Sequence, residues 1–312
     1  MTYNINGYVH EESKNITADN YAEKINLQIN HYNNEPIYYF RINKQNCLIR
    51  TYVNNINLYD DYELSNVITP IEIGNILKSG QQTVMVKMYP VGNLINEDLG
   101  LENELPATEL SDKAKVDIDI VVMDNKSKKQ FADERVIVTQ VSPKEAAGKE
   151  YYEFSFTFNA EVPYKFEGWT KGKDLRKLDQ DLVRKKAIEF YQMCGKIFEK
   201  NDVDAWLKLS YLSDMRIMSS SFVDKQYLDE LVEEYNVDLK RDYNIQQLDN
   251  FVLEYMGNGK LLRLITDNQH PKLKGGGALL LNYGKGGVYQ PGITLYLPEG
   301  RDLATQGFMM WK

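Results

Sequence analysis

Asp214 and Arg216 are the polar pair best placed to serve a pocket, at the end of a segment with helical spacing. A carboxylate there acts as a base near neutrality only if its surroundings raise its pKa. Trp206 and Tyr211 lie just upstream, and Tyr283 and Tyr289 far downstream; these six residues form the candidate binding set. Aromatic side chains of this kind line ligand pockets and also fill cores. The other motifs fall short of catalytic arrangements. Ser219-Ser220-Ser221 has no Gly-x-Ser-x-Gly elbow and no nearby histidine base, so helix capping by Ser221 accounts for it. Gly275-Gly276-Gly277 and Gly284-Lys285-Gly286-Gly287 lack the spacing of a phosphate loop, because Leu279 stands where the first glycine belongs and Gly286 follows Lys285. Neither cluster leads into a helix whose N-terminus could hold an anion, and glycines that let strands turn explain both.

Metal chemistry has little to work with. Cys47 and Cys194 fall in different halves, and the imidazoles are His10, His31 and His270. A zinc site needs about four such ligands close together, so the cysteines read as reduced and packed like small apolar groups. Asp60, Asp61 and Glu63 invite a calcium reading, but the glycine-containing loop of the calcium hand is missing and a solvated turn is expected. No metal, cofactor or catalytic residue is expected.

The net charge of −8 is uneven: residues 1–168 carry 16 Lys+Arg against 25 Asp+Glu, and the rest of the chain is nearly balanced. An acidic first half repels phosphate backbones, which argues against nucleic acid and suits a basic protein partner; it would also simply keep the protein in solution. No run approaches the roughly 20 apolar residues of a membrane span, and the N-terminus lacks the order of a signal peptide. The expected location is the cytoplasm, or the periplasm or exterior if a signal has been removed.

Near Trp169 the rhythm of the chain changes. Before it, apolar residues alternate with polar ones, most clearly at Tyr152–Phe158 and at Val116–Ile120 with its outward carboxylates. Further strands are expected at Ile25–Ile29, Ile37–Ile42, Leu48–Val53, Thr83–Tyr89 and Arg135–Val141, and so many short strands favour two packed antiparallel sheets. Asn93–Lys113 is acidic and poor in aromatics, a long surface loop of the kind partners touch. Beyond Gly168–Lys173 comes a helix of about twenty residues with a stripe from Leu178 to Phe198, then one capped by Asn201 or Asp202, then one capped by Ser221. Its basic run, Lys171, Lys173, Arg176, Lys177, Arg184, Lys185 and Lys186, reads as a solvated face. Strands at Phe251–Met256 and Lys260–Thr266 flank Gly257-Asn258-Gly259, a hairpin signal, and Gly277–Tyr283, Gly292–Leu297 and Gln306–Trp311 follow.

Pro70–Tyr89 resembles the passage of leucine, small loop, glycine and strand found in jelly-roll modules appended to bacterial glycosidases. Gly80 would there adopt a positive φ, and Val84, Val86 and Met88 would face the core. Carbohydrate binding is what that resemblance implies. Ala187–Trp206, a long helix, an Asn-Asp turn and a second helix, resembles the NTF2-like superfamily, whose long helix packs into a bent sheet around a conical pocket. The Asp-His pairing of that family's isomerases and dehydratases does not carry over, since the helices hold no histidine.

The expected fold is therefore α+β: an antiparallel β-sandwich over residues 1–168, then an NTF2-like domain over 169–312 with about three helices on a curved antiparallel sheet. The expected function is non-catalytic recognition of a protein partner, in concrete form an immunity-type bacterial protein that neutralises a toxin. The alternatives are a small-molecule binder or enzyme using the C-terminal cavity, and carbohydrate attachment by the sandwich.

Overall fold

Alternating apolar residues build strands through the first half of the chain, and a 3.6-residue period builds helices in the second. The computed structural model describes residues 3–64, 68–101, 103–127 and 131–312. It is a mixed α+β protein whose sheets are antiparallel, and packing divides it into two units. One comprises Tyr32–Lys165 with His270–Lys272; the other comprises Met1–His31, Phe166–Gln269 and Leu273–Lys312.

The chain opens with helix α1 (Tyr21–Asn26), followed by strands β1 (Pro36–Gln45), β2 (Leu48–Val53), β3 (Ile56–Asp61), β4 (Ile68–Glu72) and β5 (Gly80–Tyr89). Helix α2 (Leu94–Leu99) separates these from β6 (Lys115–Asp124), β7 (Arg135–Val141) and β8 (Tyr152–Ala160). These strands form two four-stranded sheets, in the orders β4-β1-β6-β7 and β3-β2-β5-β8. Val84, Val86 and Met88 are fully buried, and Gly80 opens β5 at φ +110°. Asn54 and Asn55 join β2 to β3 at φ +51° and +62°, the left-handed pair that a two-residue hairpin turn requires.

Asp60 and Asp61 correct the expectation of a solvated turn. Both belong to β3, where Asp60 accepts from Arg50 Nε at 3.1 Å and Asp61 lies 2.8 Å from Lys44 Nζ. Lys44 follows Phe40 and Ile42 on the inward face of β1, so its ammonium is shut away from water. A charge in that position needs a partner, and Asp61 together with the Glu63 carbonyl supplies it.

The other unit holds α1 and the second half of the chain: α3 (Gln180–Glu199), α4 (Val203–Ser220), α5 (Lys225–Leu239), β9 (Asn244–Ile245), β10 (Phe251–Met256), β11 (Leu261–Thr266), β12 (Leu281–Tyr283), β13 (Gly287–Tyr289), β14 (Leu295–Tyr296), α6 (Leu303–Gln306) and β15 (Met309–Met310). Asp202 caps α4 by accepting from the Ala205 amide at 3.0 Å. The cap of α5 is Asp224, which accepts from Tyr227 N at 2.9 Å, whereas Ser221 ends the preceding helix. The expected single curved sheet is instead two, β10-β11-β14-β15 and β13-β12-β9. Strands expected at 277–283, 292–297 and 306–311 shorten to two or three residues each, because irregular backbone and α6 take up the remainder.

The N-terminus departs most from expectation. Ile25–Ile29 is not a strand, and residues 1–31 pack with the C-terminal unit rather than with the strands they precede. Tyr21, Ala22, Ile25 and Ile29 repeat at helical spacing and are buried in the same core as Phe190, Trp206 and Leu228.

Replacing Asp61 by Ala strands the Lys44 ammonium, and removing one partner of a buried pair costs about 3–5 kcal/mol. Equilibrium urea unfolding should show that loss for Asp61→Ala and recovery of most of it in Lys44→Met/Asp61→Leu. A change under about 1 kcal/mol in the single variant would show that Lys44 has another way out.

Candidate functional site

Asp214 sits on α4, two residues before Arg216, and that spacing sends the two side chains to different flanks of the helix. Neither is among the residues that wall the two cavities described below. The Tyr21 hydroxyl donates to Asp214 Oδ2 at 2.6 Å and the Tyr235 hydroxyl donates to the same oxygen at 3.2 Å. Three elements, α1, α4 and α5, thus meet on one buried carboxyl. Burial raises its pKa above the ordinary carboxylate value, and the hydroxyl donors only partly oppose that rise.

Arg216 is held on the far side. Its guanidinium donates to the Trp311 carbonyl and lies 5.3 Å from the centre of that indole ring. Burial lowers its pKa to about 10. Nearby, His10 shares a 3.1 Å hydrogen bond with the Tyr296 hydroxyl, and burial, helped by the charges of Arg216 and Arg301, lowers its pKa to about 4. The imidazole is therefore neutral at physiological pH and acts as a joint between the N-terminal segment and β14.

The aromatic members of the expected set divide. The Tyr211 hydroxyl donates to the Lys24 carbonyl at 3.3 Å, which ties α4 to α1. Trp206 packs on Phe198 at 4.9 Å, and Phe198 in turn meets Tyr243 and Tyr289 at 5.7 and 5.8 Å. Tyr283 stands edge-on to Tyr243 at 5.8 Å, with Arg241 over its ring at 4.6 Å. Trp206, Tyr283 and Tyr289 thus share one aromatic cluster, whereas Tyr211, Asp214 and Arg216 hold the N-terminal segment and the C-terminus.

Tyr243 links that cluster to a concave feature the sequence did not reveal. Gln192, Gly195, Lys196 and Glu199 recur every three or four residues on one face of α3, and they wall a groove with residues 243–248 and Leu279. Its volume is about 580 Å³, and a smaller cavity of about 290 Å³ lies along residues 246–250. Gly195 forms part of this wall: a Cβ there would lie 3.5 Å from Ile245 and from Leu279, an ordinary contact. The signal available in the sequence was the polar Gln192, Lys196 and Glu199 row opposite the apolar stripe, which reads like any solvated helix face.

The first unit offers a different surface. The expected loop Asn93–Lys113, of which residue 102 lies outside the described residues, contains α2, and Gly100 closes that helix at φ +67°. Ile95, Leu99, Leu101 and Leu105 are exposed there, Leu105 at 89%. Hydrogen bonds hold parts of the backbone around them. Asn96 Nδ2 donates to the carbonyls of Glu104 and Leu105 at 3.2 and 3.1 Å, Gly92 bridges Ala107, and the buried Leu110 anchors the far end.

Among the described residues, no group of three or more His, Cys, Asp or Glu side chains is placed to hold a metal ion. Both cysteines are buried, and burial pushes the Cys47 thiol up to about 11 and the Cys194 thiol higher still. No helix of the described residues is long and apolar enough to cross a membrane. No family model, curated protein or solved structure matches the chain.

Because Asp214 keeps its proton to a higher pH in the folded chain than in the unfolded one, its contribution to stability is full below the unfolded carboxylate value and is lost as pH rises through the folded value. Asp214→Asn cannot ionise, so its urea midpoint relative to the natural chain should rise as pH increases above about 4, the unfolded carboxylate value. A difference independent of pH would place an ordinary, solvated carboxylate at this position. Tyr21→Phe should cost about 1–3 kcal/mol in the same measurement, the penalty for removing one partner of a buried polar group.

Proposed function

We propose that this is a non-catalytic binding protein that works by protein recognition, in concrete form an immunity-type protein that neutralises a toxin. The observation that carries the reading is the loop after β5. Four large apolar side chains stand in solvent on a backbone held by Asn96, and a soluble surface rarely presents such a cluster without something to cover it. Residues 93–113 also carry six carboxylates against the single Lys113, so the apolar points stand in an acidic field. A partner with a basic rim around an apolar centre complements that pattern, and a loop fixed before binding loses little entropy on docking. Residues 32–165 as a whole carry 20 Asp+Glu against 14 Lys+Arg, which favours the same partner at longer range.

The finer fold reading belongs to the same proposal. The two four-stranded sheets of the first unit form a sandwich that displays this loop; the inward rows of β1, β5 and β6 support that arrangement. The second unit is NTF2-like, a reading supported by its three long helices preceding short antiparallel strands. Small-molecule binding is the rival function. The groove beside α3 favours it, since about 580 Å³ lies within the usual range of about 300–1,000 Å³ for ligand pockets.

Capture from extracts of the native host at moderate salt should recover a stoichiometric basic protein, and Leu99→Asp/Leu105→Asp should reduce that capture at least tenfold, about 1.4 kcal/mol, without moving thermal unfolding. Absence of any stoichiometric partner, or capture indifferent to both charges, would contradict the reading.

A further inference from the structure

The groove beside α3 carries an inference that stands apart from the loop and its partner. β9 is the outer strand of its sheet, paired only with β12. In that pairing Ile245 faces Leu281 and Asn244 faces Asn282, while the Gln246 amide donates to the Leu280 carbonyl at 3.0 Å. Antiparallel hydrogen bonding alternates, so the main chain of Asn244 and Gln246 points toward β12 and the N–H and C=O of Ile245 point to the open side. No hydrogen bond reaches either Ile245 group among the described residues. Each open strand edge is a template for one more strand.

The walls of the groove agree with that edge. Gln192, Lys196, Glu199, Asn244, Gln246 and Gln247 are among the residues that line it, and the hydrogen bonds and ion pairs of the described residues commit none of their side chains. The Tyr243 ring borders the groove, while its hydroxyl is withdrawn from water and has no hydrogen-bond partner among the described residues. Amide side chains donate and accept at once, as peptide groups do, and Ile245, Leu248 and Leu279 add apolar contact between them. A phosphate or other compact anion would match one lysine and little else here. We propose that the groove binds a short, extended segment of polypeptide that adds to the open edge of β9, pairs with the N–H and C=O of Ile245, and is held from the side by the amides of α3 and residues 244–247. The free Lys196 and Glu199, about one helical turn apart, favour a segment bearing one acidic and one basic residue.

The test uses the full chain and a display library of unstructured dodecapeptides. Selected peptides, resynthesised with a fluorophore, should bind with an affinity that falls at least tenfold in Gln192→Trp, which fills the groove from an exposed helix position. A Gln192→Ala/Gln246→Ala/Gln247→Ala variant should show the same loss with unchanged thermal unfolding. Backbone N-methylation of the peptide should abolish binding at the residue that pairs with Ile245 and spare its two neighbours, whose N–H groups point away from β9. The inference is overturned if no peptide is selected, if binding ignores these variants, if N-methylation acts alike at neighbouring residues, or if a neutral oligosaccharide panel binds the groove instead. Capture of the loop's partner that survives Gln192→Trp leaves the proposed function standing, and peptide binding that survives Leu99→Asp/Leu105→Asp leaves this inference standing, so the two fail separately.

Discussion

One buried carboxyl organises the second unit. Asp214 draws the Tyr21 hydroxyl from α1 and the Tyr235 hydroxyl from α5 onto a single oxygen, and the rings of Tyr211 and Tyr235 each stand edge-on to Tyr21 at 6.2 Å. A polar group withdrawn from water must find partners, so this carboxyl fixes where the N-terminal segment docks. Two neighbours on the same stretch reinforce it. Asp202 accepts from the Tyr3 hydroxyl, and Asp204 accepts from the Ala18 amide at 2.8 Å. A segment nearly two hundred residues away in sequence is thereby pinned along α4.

That docking decides which surface remains available. Tyr8 of the N-terminal segment lies edge-on to Phe190 of α3 at 5.4 Å, covering that side of the helix. Gln192 and Glu199 stand roughly half a turn around from Phe190 by the 3.6-residue period, and there the groove opens. Tyr191 holds α3 on the strands, donating to the Ile293 carbonyl at 2.7 Å and accepting from the Leu264 amide at 2.9 Å. Asp214 and Arg216 are each engaged by neighbouring elements, and both cysteines are buried.

Local pattern made several elements legible in advance. The apolar stripe of α3, the Asp202 cap, the turn of Gly257-Asn258-Gly259 and the inward row of β5 all follow from rules that act within a few residues. Long-range pairing was harder to see. Ile25 and Ile29 fit a strand as well as a helix face when taken alone, and only burial against α4 and α5 separates the two. β3 was hidden because its acidic end is neutralised by Arg50 and Lys44, residues of other strands, and β4 because Pro70 usually marks a turn or an edge. The groove left almost no trace, since a free polar row on α3 acquires meaning only when residues 243–248 come to lie beside it. The partners of Asp214 were hidden for the same reason, because Tyr21 and Tyr235 lie far from it in sequence.

The central claim is that Asp214 is such a strut, and carbon-13 NMR of its side-chain carboxyl tests this most directly. The account predicts a titration above the ordinary carboxylate range and a resonance that stays in place when a bound partner or peptide is added. An ordinary titration, or a shift of that resonance on binding, would contradict it and return Asp214 to the functional site.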